Sequence, residues 1–179
     1  PLILCMWGTM LFGQVDNLHI AEQVLASETS DITKADKEAY IVTDRYVSTK
    51  SNIEHIYLRQ SINGIEVERA DFGIHLTAQG DVLTKDNQFI SNAASKINTD
   101  APSISAEQAI RALSEEMGYT INQELNQISK EATANQAAVF TGGGISNHDI
   151  PVRLVYQPMQ DGSLRLAWNM SIDETNGSD

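Results

Sequence analysis

His55-Ile-Tyr-Leu-Arg-Gln60-Ser-Ile-Asn-Gly64-Ile-Glu-Val67 is the stretch on which the fold turns. Side chains alternate across a strand. His55, Tyr57, Arg59 and Ser61 therefore share one face, and Ile56, Leu58, Gln60 and Ile62 share the other. Asn63-Gly64 follows at once, and both residues tolerate the positive φ that a two-residue type I′ turn demands. The segment predicts a strand, a tight reversal and a returning strand. Gln60 is the odd member of the apolar face. A buried carboxamide without partners costs a few kcal/mol, about 2–7 depending on the reference. It is expected either to bond backbone groups, tying the strand to the polar segment before it, or to contact a partner.

Working outward, Tyr40-Ile-Val42 through Tyr46-Val47 is rich in β-formers. Phe72, Ile74 and Leu76 alternate, Gln79-Gly80-Asp81 turns, and residues 82–90 return. The sum is an antiparallel meander. Upstream, residues 17–26 read as a weak amphipathic helix through Leu18, Ala21, Val24 and Leu25, followed by a polar stretch over 27–37. Downstream, residues 92–103 are polar, contain Pro102 and read as a connection. Ser105 then opens a helix. Ser105 and Gln108 make a capping box, with Ile104 at the staple position. Ala109, Ile110, Leu113 and Met117 are predicted on its buried face, and Gly118 at its C′ position. Residues 120–134 read as loose. A final hairpin follows: residues 151–156, a connection holding Asp161-Gly162, and a strand whose Leu164, Leu166, Trp168, Met170 and Ile172 share one face. Burying such side chains is worth roughly 1.5–3 kcal/mol each, so a cover is required, and the helix from Ser105 is the expected one. Trp168 reads as core or as a docking residue. A further closing strand is expected beyond the last residue. The fold class is α+β: two small units, each an antiparallel sheet packed with at least one helix.

The chain has 179 residues, 12 Lys and Arg against 24 Asp and Glu, and a formal net charge of −12. Phosphate-rich partners and anionic membranes call for clustered cations, so nucleic-acid and membrane binding are excluded. One cysteine, Cys5, rules out a disulfide framework and a cysteine-rich metal site. Residues 1–13 are an uncharged apolar run that ends on a small residue, Gly13. They read as part of a signal peptide and are too short to span a bilayer. A buried terminal strand and a lipoprotein signal using Cys5 are the other readings. Pro1 is no initiator, so the chain is expected to be part of a longer precursor.

Reactive constellations are sparse. The sequence holds no His-Glu-x-x-His and no Gly-x-Ser-x-Gly. Of His19, His55, His75 and His148, the middle two fall on predicted strands and could meet in space, as surface or structural residues or as a metal pair. Thr141-Gly-Gly-Gly144 lacks the Lys-Ser/Thr of a phosphate loop and reads as a flexible connection. Asp161-Gly162 and Asp173-Glu174 lack the spaced ligands of a calcium loop. Asn169-Met-Ser171 and Asn176-Gly-Ser178 match the short glycosylation acceptor pattern. No catalytic, cofactor-binding or metal residues are assigned.

The 55–67 stretch, followed by Gly80-Asp-Val-Leu83 and Asn87-Gln-Phe-Ile90, resembles the fungalysin/thermolysin propeptide (FTP) domain. The helix opening at Ser105, Phe140-Thr-Gly-Gly-Gly-Ile145, the strand at 151–156 and Asp161-Gly-Ser-Leu-Arg-Leu-Ala-Trp168 resemble the PepSY-like part that follows it in fungalysin-type precursors. The resemblance covers most of residues 40–173. It implies residues 14–39 as an N-terminal helix and polar segment, 40–97 as the FTP-like domain, 98–104 as a linker and 105–179 as a PepSY-like domain. It marks His55, Tyr57, Arg59, Gln60, Asn63, Gly64, Val67, Gly80 and Trp168 as family-motif residues, structural or docking. It implies the pro-region of a secreted zinc metalloprotease, which aids folding of the cognate catalytic domain in cis and blocks its cleft. The segment itself would be no enzyme and hold no cofactor, zinc belonging to the catalytic domain. A stand-alone secreted inhibitor or binding module acting in trans is the alternative. With Cys5 in the signal segment, inhibition would be steric or use a carboxylate, carbonyl or histidine rather than a thiolate.

Overall fold

Asn63 and Gly64 take φ of 52° and 80°, so the reversal at the centre of the quoted stretch has the predicted hand. This computed structural model describes residues 17–29 and 31–174. The predicted signal segment with Cys5, and the Asn176 acceptor site, lie outside them. On either side of the turn run β2 (Glu54–Ile62) and β3 (Ile65–Leu76). β1 (Tyr40–Val47) pairs with β2, and β4 (Val82–Asn87) pairs with β3, all antiparallel. The meander is as expected. Ile56, Leu58, Gln60 and Ile62 are all buried, and α1 (Asn17–Ser27) lays Ala21 and Leu25 over Ile56, Leu58, Phe72, Ile74 and Leu76.

The second half supplies α3 (Ala106–Met117), β5 (Gln127–Lys130), β6 (Ala138–Phe140), β7 (Ile150–Pro158) and β8 (Leu164–Met170). Ser105 and Gln108 form the capping box, and Gly118 closes the helix at φ 74°. Ile104 is largely exposed rather than stapled, and its carbonyl accepts the Trp168 indole N–H at 2.9 Å. The buried stripe of α3 is Ala109, Ile110 and Ser114; Met117 is 54% exposed. Ser114 can take the buried place because its hydroxyl donates back to the Ile110 carbonyl at 2.8 Å, which satisfies it within the helix. Ile110 packs with Leu125, Phe140, Ile145, Ile150 and Val152. The 120–134 segment is not loose throughout, since β5 lies in it and pairs with β6.

The described strands join into one mixed sheet in the order β1-β2-β3-β7-β6-β5, with β4 against β3 and β8 against β7. The architecture is α+β. The joint between the halves is a parallel bridge, Val67 to Tyr156. It forms where the β2–β3 pairing jumps from Arg59↔Asp71 to Ser61↔Glu66 and Arg69 turns to φ 62°. Such a bulge bends the strand and frees its edge for a new neighbour. The polar connection is also strapped to the sheet. Leu164 N–H donates to the Lys96 carbonyl at 2.8 Å, Asn98 N–H to the Leu164 carbonyl at 3.0 Å, and the Tyr156 hydroxyl to the Thr99 carbonyl at 3.2 Å.

A short helix, α2 (Lys34–Glu38), stands in the stretch read as merely polar. Thr33 caps it and Asp36 returns the capping box. Asp36 is only 6% exposed. Its carboxylate accepts from Thr33 N–H (3.1 Å) and Oγ1 (2.6 Å), Asn92 N–H (2.8 Å), Ala93 N–H (3.0 Å) and Gln60 Nε2 (3.4 Å). Gln60 in turn donates to the Ile90 carbonyl at 2.9 Å and accepts from Ile90 N–H at 2.8 Å. It does bond backbone, but chiefly of the segment after the meander. Burial alone would raise the Asp36 carboxyl; the bonds from the Thr33 hydroxyl and from the backbone of Asn92, Ala93 and Thr33 outweigh it and hold the group below its usual 3.8.

A carboxyl depressed in the folded state contributes stability that is complete above its unfolded value and fades as pH falls through its folded one. Asp36→Asn should therefore lower urea stability at neutral pH by about 1–3 kcal/mol, the cost of leaving buried N–H groups without an acceptor. The gap between wild type and variant should close below pH 3.8. A gap that stays constant to pH 2 would contradict this account of Asp36.

Candidate functional site

β2 turns its apolar residues toward α1, so His55, Tyr57 and Arg59 stand on the face that no helix among the described residues covers. The register brings further side chains into line with each. His55 lies opposite Tyr46 on β1 and His75 on β3, and His75 opposite Thr84 on β4. The two histidines meet: Nδ1 to Nδ1 is 2.7 Å, one ring donating and the other accepting. Tyr46 stacks on His55 with centroids 4.7 Å apart and 17° between planes. Tyr57 sets its ring edgewise to His75 at 5.9 Å. Aromatic neighbours in these arrangements hold both imidazoles in place.

In the next row Tyr57 lies between Asp44 and Gly73, with Asp86 beyond. An added Cβ on Gly73 would come within 2.7 Å of an Asp86 carboxylate oxygen, so the absence of a side chain lets that carboxylate lie over the strand. Burial, the hydrogen bond with Tyr46 and the charges of Asp44 and Asp86 all push the Tyr57 phenol up. Tyr57 is thus a neutral hydroxyl across the ordinary pH range. On the covered face, burial and a 2.5 Å bond to Glu22 push Tyr40 up to about 12.

Arg59 begins a charged network that crosses the joint between the halves. Its guanidinium grips Asp71 through Nε (2.8 Å) and Nη2 (3.3 Å), and reaches Glu66 through Nη1 at 3.2 Å. Arg153 on β7 bonds Glu66 and Glu68 from the other side. Glu66 is 9% exposed and shared by both arginines. The bond to Asp71 and the surrounding carboxylates raise the Arg59 pKa, burial opposing, so Arg59 stays charged.

The motif residues do not form one site. His55, Tyr57 and Arg59 share the uncovered face. Gln60 and Val67 are buried, Val67 at the bridge to β7. Asn63 and Gly64 are the exposed turn. Gly80, at φ 87°, packs against Ile20 of α1, where a Cβ would come within 2.8 Å of its Cδ1. Trp168 is half-buried beside α3 and adjoins the apolar clusters of the joint and of the second half. His148 bonds the exposed Asp173 at 2.7 Å, and His19 bonds Gln23 on α1. Among the described residues, no group of three or more His, Cys, Asp or Glu is placed to hold a metal. No helix among them is long and apolar enough to cross a membrane. Sequence reasoning missed Asp36 and the Glu66–Arg153 link. Thr33-x-x-Asp36, a capping spacing, was the available signal for the first. Nothing local marked the second, because its partners are far apart in the chain.

Residues 38–89 match the model of the Fungalysin/Thermolysin Propeptide Motif. That is a protease propeptide motif and not a catalytic domain, as the resemblance implied. The chain is 27% identical over 151 residues to probable extracellular metalloproteinase 1 of Arthroderma benhamiae, covering 83% of this chain and 23% of that protein. It is 28% identical over 157 residues to extracellular metalloproteinase MEP of Leptosphaeria maculans, covering 85% and 24%. For extracellular metalloproteinase 10 of Coccidioides posadasii the figures are 26% over 133 residues, 74% and 21%. The chain thus spans about a quarter of the length of these relatives. Residues 38–89 thus resemble a fungalysin/thermolysin propeptide motif, and the chain's likeness to extracellular metalloproteinases runs well past the motif into the second half.

The Glu66–Arg153 pair joins the halves, so it is measurable by a double-mutant cycle with Glu66→Gln and Arg153→Met. Partners in one partly buried network couple by about 0.5–3 kcal/mol. A coupling indistinguishable from zero in urea unfolding would show that the bridge contributes nothing to holding β3 and β7 together.

Proposed function

We propose that the chain is the pro-region of an exported zinc metalloprotease of the fungalysin branch, acting in cis as a folding aid and steric inhibitor of its catalytic domain. The observation that carries this reading is the propeptide motif over residues 38–89, set in a longer collinear likeness to extracellular metalloproteinases. In this reading residues 14–39 are an N-terminal helix and polar segment, 40–97 the FTP-like part, 98–104 a linker and 105–179 a PepSY-like part. Export of the precursor follows from the apolar segment 1–13, and zinc belongs to the catalytic domain.

The physical basis is mass action. A body that binds only the native protease stabilises it against unfolding, and the same body over the cleft excludes substrate. The uncovered sheet face, with His55, Tyr57 and Arg59, is the docking surface in this reading. Gln60, Val67, Gly64 and Gly80 shape the body behind it. Cys5 is the sole cysteine and belongs to the segment removed on export, so blockade uses bulk or an oxygen or nitrogen donor.

The test uses the catalytic domain encoded with this chain, denatured and refolded with and without it. The chain should raise the yield of active enzyme on refolding and should inhibit the mature protease in a saturable titration, unchanged by alkylating thiols. A chain that neither assists nor inhibits overturns the reading, and inhibition abolished by alkylation overturns the thiol-free mechanism.

A further inference from the structure

The His55–His75 pair belongs to none of the three buried apolar clusters, yet it is closely held. Both rings sit half-buried on the uncovered face, in direct register across two central strands of the meander. Their Nδ1 atoms face each other at 2.7 Å, Tyr46 lies flat on one ring, and Tyr57 stands edgewise to the other. A single proton occupies the space between two nitrogens. Two metal–imidazole bonds of about 2.05 Å place their nitrogens about 2.9 Å apart at a right angle and about 3.35 Å apart at the tetrahedral angle. Replacing the bridging proton by a metal ion therefore asks the nitrogens to part by about 0.2 to 0.65 Å and each ring to tilt until its lone pair points at the ion rather than at the other nitrogen. Strands already fix the two backbones, and the tyrosines restrict the rings, so little ordering entropy remains to be lost.

We propose that His55 and His75 form a two-imidazole site for a borderline divalent metal ion, of the class of Zn2+, Ni2+ and Cu2+, on the uncovered sheet face. Imidazole nitrogen selects these ions, while Ca2+ and Mg2+ require oxygen ligands and are rejected. The two Nδ1 atoms supply two positions. Water fills the others, since the row ends in the Tyr46 phenol on one side and the Thr84 position on the other. Binding moves the shared Nδ1 proton, by exchange with solvent, to Nε2 of the same ring, so both imidazoles bind as neutral ligands and no net proton is lost. The site does not depend on the propeptide reading, because it rests on the geometry of the pair alone.

The test is calorimetric titration of the chain, its cysteine first alkylated, with ZnCl2 and NiCl2. One equivalent should bind saturably, with CaCl2 and MgCl2 giving no heat above dilution. His55→Asn and His75→Asn should each weaken Zn2+ by at least ~10-fold, the loss typical even of groups that merely support a ligand. His19→Ala and His148→Ala should leave the affinity unchanged. Imidazole nitrogen NMR on the wild-type chain keeps the question open to measurement if a variant misfolds: added Zn2+ should move the Nδ1 signals of His55 and His75 together and leave those of His19 and His148 in place. Absence of saturable binding overturns the proposal. So does binding that survives both substitutions, or an NMR response confined to other histidines.

Discussion

Gln60 and Asp36 form the polar joint on which the arrangement of the chain depends. From Ile56 to Ile62 the covered face of β2 is apolar except at Gln60, and there the β2–β3 ladder breaks. The carboxamide presents one donor and one acceptor side by side, as a peptide group does, and Ile90 answers with both its carbonyl and its N–H. A side chain thus stands in for a strand neighbour at the point where β4 has ended. Asp36 completes the joint by taking the N–H groups of Asn92 and Ala93 on one side and capping α2 on the other. Each such bond is worth only about 0.5–1.5 kcal/mol net, but an unmade one at a buried group costs more, about 1–3 kcal/mol. The joint therefore specifies where the chain leaves the meander more than it adds to total stability.

What the joint specifies is the path into the second half. With residues 90–93 pinned, Lys96 and Asn98 are delivered to the end of β8, and Ala93 is buried beside Val67, Leu154, Tyr156 and Leu164. The bulge beside Gln60 exposes the β3 edge to β7 at the same place. Backbone, apolar contacts and the Arg59–Glu66–Arg153 ions thus meet within a few residues of one another. The ion network is costly to desolvate, and its value lies in fixing the register of two strands whose backbone contact is one bridge.

The elements legible in the sequence were those governed by neighbours in the chain. The β2 turn needed positive φ at two adjacent residues, and only Asn63-Gly64 offered it. The α3 cap needed Ser105 and Gln108 three residues apart. Alternation placed Ile56, Leu58 and Gln60 on the buried face, and even the meeting of His55 with His75 followed from two strands joined by a short turn. What stayed hidden was set by contacts between distant residues. Residues 96–99 look like a linker because their bonds go to β8 and β7, as far as 68 residues later in the chain. β5 is exposed along its length and has no periodicity to show. Met117 fits the helical stripe on spacing but is exposed, and a self-satisfied Ser114 occupies the buried stripe instead. The candidate face was half-readable: alternation found its residues, while the Arg153 contribution came from another strand entirely.

For a pro-region acting in cis, this division between faces has an energetic consequence. The groups on the uncovered side are already partnered with one another: His55 with His75, the Tyr57 ring stacked with that of Tyr46, Arg59 with Asp71. A surface so satisfied offers few strong new polar bonds, and its exposed aromatic on β1, Tyr46, is already stacked on His55. Intrinsic affinity for a catalytic domain should accordingly be low. Covalent tethering compensates, since a short linker supplies an effective concentration of about a millimolar and so keeps a weak contact closed. Cutting the linker removes that concentration without altering any contact, and the pro-region then departs by dilution. In the proposed reading, weak docking on a self-satisfied face is what would make release by a single cleavage thermodynamically sufficient.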